Sequence, residues 1–250
     1  MSDGVYLYTD HMNDTIQTTI EEYQPSPETI ELLRQTPVFF LVGIAGAGKD
    51  TVKSRLLQDP GYRHIISHTT RPPRDNNGVA ERDGIDYHFV SVDEAVRMAK
   101  AKEFIEVKIV HGTIYGTSAR EIAEARESGT IATTDIDVQG VAEYKRVAPE
   151  SSIAVFLLPP SYDTWLERLS ARYGEGGIPA DELAKRTLSA VFELEHALSV
   201  PYYHFIMNEE LDQTVATAHT IAHHHDTFNE IDEAVRHRAE QLLADIKSHL

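Results

Sequence analysis

The stretch Val38 to Val52, VFFLVGIAGAGKDTV, constrains the chain more than any other. Five apolar residues, β-branched and aromatic among them, read as a buried strand, and a helix-compatible run follows from Thr51 to Gln58. Strand, glycine-rich turn and helix in that order make a phosphate-binding loop. Gly43, Gly46, Ala47 and Gly48 let backbone N–H groups turn inward around phosphate oxygens, and the helix N-terminus behind them favours negative charge. Lys49 adds a point charge for the outer phosphates. The next position should carry a hydroxyl that meets Mg²⁺; here it is Asp50, with Thr51 one place later. Two readings follow. Asp50 faces the metal in the hydroxyl's place, or it turns to solvent as a helix N-terminal acid while Thr51 keeps the hydroxyl role.

Such a loop belongs to an α/β fold, and 250 residues suit one large domain or a core with small insertions. The formal charge of −17 excludes the basic face that nucleic-acid binding needs. Most of the acidity lies in residues 1–35 and 209–250, which hold seven and nine acids against one and three bases. No cysteine is present, so disulfides and thiolate metal sites are excluded. No apolar run approaches spanning length and the N-terminus shows no leader pattern, which predicts a cytoplasmic protein that does not enter a membrane.

Residues 1–24 are polar with little periodicity and read as a loosely packed arm; with the short helix at 26–35 they form an acidic N-terminal segment, 1–35. Beyond the loop helix, Ser67 to Arg74 reads SHTTRPPR, two arginines three apart fixed by prolines and preceded by hydroxyls. That arrangement suits an anionic group. Ile85 to Val90 alternates as a strand, Ser91 caps a helix from about Val92 to Ala101, and short strand pieces follow at 103–106 and 114–118. A helix over 118–128 leads to a core strand at 130–134, unusually polar because of Thr133 and Thr134, that ends in Asp135 and Asp137. In open α/β sheets the carboxyl edge of the strands is where ligands bind.

Taken together, Gly43–Lys49, Ser67–Arg74, Asp86–Phe89, Glu103–Glu106, Tyr115–Thr117 and Asp135–Gly140 closely resemble the guanylate kinases, in family order, from about residue 37 to about 223. The resemblance implies a phosphate-loop nucleoside monophosphate kinase fold: a parallel five-stranded core, an inserted GMP-binding subdomain (67–117) and a helical lid (161–187) within a domain at 36–223. It implies ATP-dependent phosphorylation of GMP and dGMP with Mg²⁺. Arg71, Arg74, Tyr87 and Tyr115 would hold the GMP phosphate, and Ser67, Glu106, Thr117 and Asp137 would read guanine. Guanine presents N1–H and N2–H₂ donors side by side, which one carboxylate can accept together; adenine would leave Glu106 unpaired. Asp135 would lie near Mg²⁺ or the phosphates, and Asn208 near the adenine of ATP. Arg168, Arg172 and Arg186, on a helix–loop–helix, would close over the transferring group and offset its charge. Two departures stand out: the segment between Arg74 and Asp86, with Asn76-Asn77-Gly78, is longer than usual, and Ile114 replaces a frequent tyrosine.

Two other activities fit parts of the pattern. A non-catalytic guanylate-kinase-like module would bind protein partners, but such modules lack the loop lysine. A kinase of the ribose bisphosphate phosphokinase type shares Gly-Lys-Asp in its loop. His223-His224-His225 point in different directions on a helix and do not match the i, i+4 metal-ligand spacing. At the C-terminus (224–250), Ile231, Val235, Ala239, Leu242, Ile246 and Leu250 form one apolar stripe, which must be covered by the core or by a second subunit, as in a homodimer.

Overall fold

The structure is a computed structural model and describes residues 14–76, 79–110, 112–224 and 229–250. Its helices are α1 (Asp14–Glu21), α2 (Pro27–Arg34), α3 (Lys49–Leu56), α4 (Val92–Lys100), α5 (Ala119–Ser128), α6 (Val138–Val147), α7 (Tyr162–Ser170), α8 (Ala180–Ser199), α9 (Leu211–His224) and α10 (Asn229–Ser248). Its strands are β1 (Val38–Val42), β2 (Tyr62–His64), β3 (His68–Thr69), β4 (Asp75–Asn76), β5 (Val79–Ala80), β6 (His88–Phe89), β7 (Phe104–Val110), β8 (Thr113–Ser118), β9 (Ile131–Asp135), β10 (Ser152–Leu158) and β11 (Tyr203–Met207). They form two compact units, one of residues up to 32 with 65–123, the other of 33–64 with 124–250.

The second unit carries the phosphate loop. Its five strands are all parallel in the order β11-β10-β1-β9-β2, so β1 is central. Every residue of β1 is buried, which is why the sequence there is an unbroken apolar run. Each of Phe39, Phe40 and Leu41 contributes about 1.5–3 kcal/mol by burial. The polar strand β9 is explained by Thr133, which is buried and donates to Phe39 O at 2.9 Å across the sheet. Register sets Asp135 level with Leu41, one residue short of the loop-bearing end of β1. On α10, Ala239, Leu242 and Ile246 are buried in their own chain, the helix lying on α8 and β11; Ile231's side chain is outside the described residues, and Leu250 is exposed.

The first unit is a four-stranded sheet, β6-β3-β8-β7, with α1 and α4 packed on it. Ser91 caps α4 by accepting from the Glu94 N–H at 3.1 Å. The reading of residues 1–24 as a loose arm is corrected for 14–23. Ile20 and Tyr23 are buried in a cluster with Met98, Phe104, Val107 and Ile114, with Ile16 packed against it. The Tyr23 hydroxyl donates to Phe104 O, and burial raises its pKa to about 12. Ile16, Ile20 and Tyr23 recur at helical spacing, a stripe masked by the polar residues between them. Residues 1–13 lie outside the described residues.

The strand expected over 85–90 is shortened to His88–Phe89. Asp86 accepts from the Arg82 N–H at 2.7 Å and Asp83 from the Phe89 N–H at 2.9 Å, so the aspartates draw the backbone into a turn. Within the expected lid segment 161–187 the first helix, α7, ends at Ser170. A 3-10 turn over Ala171–Gly176 follows it, with Gly174 at φ 68°.

Candidate active site

In the second unit the loop is shaped by left-handed glycines and by its neighbours. Gly43 has φ 141°, and a β-carbon there would stand 2.4 Å from Leu157 O. Gly48 (φ 92°) immediately precedes α3, and its carbonyl accepts the Val52 N–H at 3.1 Å. A β-carbon on Gly48 would meet Asn208 Nδ2 at 2.3 Å, so only glycine fits. Gly46 (φ 85°) lies against Trp165 and Leu169, and Ala47 is buried.

Two side chains from elsewhere in the unit hold this loop. Asn208, buried at the end of β11, donates from Nδ2 to Ala47 O at 2.8 Å. Trp165, fully buried on α7, donates from Nε1 to Ala45 O at 2.7 Å. The lid's first helix is thereby tied to the loop backbone.

Lys49 donates to Gly43 O and to Ile44 O at 3.3 Å. Burial lowers its pKa, opposed by Glu193, Asp135 and Asp50. Asp50 is exposed in the first turn of α3, its carboxylate 4.0 Å from Lys53 Nζ. Lys53 ion-pairs with Asp135. Burial raises the Asp135 carboxyl's pKa, yet the charge and hydrogen bond of Lys53 outweigh it and hold the group below its ordinary value. Asp137 accepts the Gly140 N–H at 2.7 Å and caps α6.

Thr51, Arg168, Arg172 and Asn208 line a cavity of ≈ 350 Å³ with Gly46, Gly48, Glu209 and Leu211. Arg168 donates from Nη2 to Asn208 O at 3.0 Å, while its buried Nη1 has no hydrogen-bond partner among the described residues. A buried cationic N–H lacking an acceptor suits an anionic ligand. Arg186 stands apart from this cavity and pairs with Glu182 one turn earlier on α8, Nε to Oε1 at 2.8 Å. The lid arginines thus divide: two at the cavity, one held on its own helix.

The first unit assembles the other expected set. Glu106 and Thr117 are cross-strand partners on β7 and β8, next to an irregularity between Phe104 and Glu106. The buried Thr117 hydroxyl donates to Glu106 Oε1 at 2.9 Å and lies 3.5 Å from Ser67 Oγ. Close by in sequence, Arg71 donates from Nε to the Tyr115 hydroxyl at 3.2 Å, and its guanidinium lies over the Tyr87 ring, 4.8 Å from the centroid. The Tyr87 and Tyr115 rings meet edge to face at 6.1 Å. Arg74 is exposed. The long segment after it folds into the antiparallel pair β4–β5; residues 77 and 78 lie outside the described ones.

Several site residues were not visible in the sequence. Glu81 grips Arg71, Lys53 holds Asp135, and Trp165 anchors the loop. Lys53 alone had a local signal, lying one helical turn after Lys49. His223, read only against its immediate neighbours, packs instead on His219 four residues earlier, ring centroids 4.4 Å apart; His225 is outside the described residues.

The sequence model of the family described as guanylate kinase matches residues 35–237. The guanylate kinase of Neisseria gonorrhoeae is 36% identical over 182 residues, 72% of this chain and 83% of that protein. That of Cupriavidus metallidurans is 35% identical over 214 residues, 85% of this chain and 89% of the relative. Among solved structures, the guanylate kinase of Anaplasma phagocytophilum matches with a TM-score of 0.56 at 25% identity, covering 78% of this chain and 89% of that one.

Proposed function

The chain belongs to the guanylate kinase family and phosphorylates GMP with ATP to give GDP and ADP; from that premise we propose how its residues divide the work. One observation carries the assignment of the acceptor site. Ser67, Glu106 and Thr117, scattered over fifty residues of sequence, meet at the Thr117 hydroxyl, which donates to Glu106 at 2.9 Å and lies 3.5 Å from Ser67 Oγ. This bond orients Glu106, and the carboxylate accepts the N1–H and N2–H₂ of guanine. Asp137 contributes to the same recognition. Arg71, Arg74, Tyr87 and Tyr115 hold the GMP phosphate. dGMP, which carries the same base and the same phosphate, is a substrate as well.

ATP lies along Gly43–Thr51, with Lys49 moving from the loop carbonyls to the β- and γ-phosphates and Asn208 near the adenine. Residues 36–223 form the kinase domain, 67–117 its GMP-binding part, 161–187 its lid and 224–250 an extension. No general base is needed, because the acceptor oxygen of GMP is already nucleophilic. Rate comes from aligning the two phosphates and from cations placed where charge develops: Lys49, Arg168 and Arg172, with Arg186 joining after release from Glu182.

The donors at the loop fit Mg²⁺. Asp50 and Thr51 offer hard oxygen ligands at the loop's rim, whereas Asp135 is already paired with a lysine and serves as counter-charge to Lys53. Mg²⁺ bound with ATP would offset the charge of the β- and γ-phosphates. Among the described residues no helix is long and apolar enough to cross a membrane, and cytoplasmic residence suits the substrates. Ala239, Leu242 and Ile246 of α10 are buried within their own chain, so a homodimer through this helix would have to use its other residues.

The scaffold reading is disfavoured because Lys49 and its glycines are intact. The sugar-bisphosphate reading leaves Ser67, Glu106 and Asp137 without use. The test is Glu106→Gln. Losing a charged acceptor should weaken GMP use by roughly 1–3 kcal/mol and leave the KM for ATP in place. GMP kinetics equal to wild type would remove Glu106 from guanine recognition.

A further inference from the structure

The GMP-binding unit contains an acid that stands among its phosphate-binding cations. Glu81 and Arg71 form a two-point fork, Nη1 to Oε2 at 2.5 Å and Nη2 to Oε1 at 2.9 Å, and both side chains are about nine-tenths buried (9% and 11% exposed). Glu81 Oε2 also accepts the backbone N–H of Arg74 at 2.8 Å. One carboxylate therefore touches both arginines of the SHTTRPPR segment, one through its guanidinium and the other through its backbone.

Donor accounting shows what this leaves. Of the five N–H groups of Arg71, Nε–H goes to the Tyr115 hydroxyl, one Nη1–H to Pro72 O, and two more to Glu81. The guanidinium is fixed in plane over Tyr87, with one N–H left over among the described residues. Arg71 thus offers a phosphate a rigid donor, and the exposed Arg74 adds a second guanidinium charge. The fork holds throughout the working pH range: its hydrogen bonds from Arg71 hold the Glu81 carboxyl down at about 2.

Sequence gives no warning of this contact, because six residues separate Arg74 from Glu81. The β4–β5 pair spans that distance, and the Glu81 N–H donates to Arg74 O at 2.9 Å to close it. The added length is taken up by the hairpin, and its ends return the acid to the arginines.

We propose that Glu81 is a positioning residue for the acceptor phosphate, locking Arg71 and the Arg74 backbone into the geometry that receives it. The inference rests on the reading of Arg71 and Arg74 as phosphate ligands. Glu81 does not touch the reacting atoms, so its removal should appear in KM for GMP and not in the ATP site.

The experiment compares steady-state kinetics and thermal melts of wild type, Glu81→Ala, Glu81→Gln and Arg74→Met. Glu81→Ala should raise KM for GMP by roughly 10- to 100-fold, the loss of two hydrogen bonds to a charged group, with KM for ATP and kcat within about two-fold. Glu81→Gln keeps one acceptor and should fall between Ala and wild type. A GMP KM unchanged or lowered in Glu81→Ala, with Arg74→Met raising it, overturns the positioning role alone. If Arg74→Met also leaves KM for GMP unchanged, the phosphate-site reading itself falls. Parallel rises in both KM values, with a lower melting temperature, would mark Glu81 as merely structural and overturn the proposal.

Discussion

Trp165→Phe tests whether the lid is mechanically joined to the phosphate loop. Trp165 is fully buried and its indole N–H is bonded to Ala45 O at 2.7 Å, inside the loop itself. Phenylalanine removes that donor and part of the ring. Ala45 is part-buried, so leaving its carbonyl unpaired costs about 1–2 kcal/mol, the lower part of the range for a buried group. The void adds about 1–1.5 kcal/mol, a fraction of the 3–5 kcal/mol for deleting a whole aromatic side chain. The sum, about 2–3.5 kcal/mol, corresponds to a fall in Tm of roughly 4–14 °C for a chain of this size. The loop should also lose definition where Gly46 lies against Trp165 and Leu169, so the KM for ATP should rise. Urea melts and ATP kinetics on one preparation read both quantities. Stability within about 0.5 kcal/mol of wild type together with an unchanged KM for ATP would refute the coupling.

Asp50→Ser should shift the Mg²⁺ concentration for half-maximal rate while leaving GMP affinity unchanged; an unaltered Mg²⁺ dependence would retire Asp50 as a ligand. Truncation after Glu240 removes the buried Leu242 and Ile246 together with the Lys247–Glu195 pair and the stacking of His249 on Tyr162, and should cost about 3–5 kcal/mol in urea melts, with light scattering showing the wild-type mass. His68 is held down at about 4 by burial and by His88 beside it, with Glu121, Asp83 and Glu103 pulling the other way. Since the unfolded chain takes up this proton near 6.5, the stability of the native state is full above that pH. It falls by up to about 3 kcal/mol as pH drops towards 4, and His68→Gln should flatten that slope in melts at stepped pH.

The phosphate loop was legible because its cause is local: apolar run, glycines and lysine lie within fifteen residues, and each has one physical use. Asp135 was legible for the same reason, at the end of a parallel strand. What escaped depends on contacts between distant segments. Thr133 looked wrong for a core strand because its acceptor, Phe39 O, belongs to a neighbouring strand. Glu81 had no spacing to mark it, since the hairpin that returns it to Arg71 lengthens the gap without changing its ends. Helix α1 was hidden by threonines and acids around Ile16 and Ile20, whose burial is decided by Met98 and Phe104 far along the chain. Arg186 matched a lid arginine by position, yet a glutamate four residues earlier holds it.

The central claim is that one carboxylate, oriented by Thr117, makes this a guanine-specific kinase. The most direct measurement is the rate of ADP formation by the wild-type protein with GMP, AMP and ribose 1,5-bisphosphate as acceptors. AMP lacks the donor pair that guanine gives Glu106 and turns its N1 lone pair toward the carboxylate, so it should be slower than GMP by about 10³-fold or more in kcat/KM, and the sugar bisphosphate should be inert. Equal rates with AMP and GMP, or turnover of the sugar bisphosphate without turnover of GMP, would contradict it.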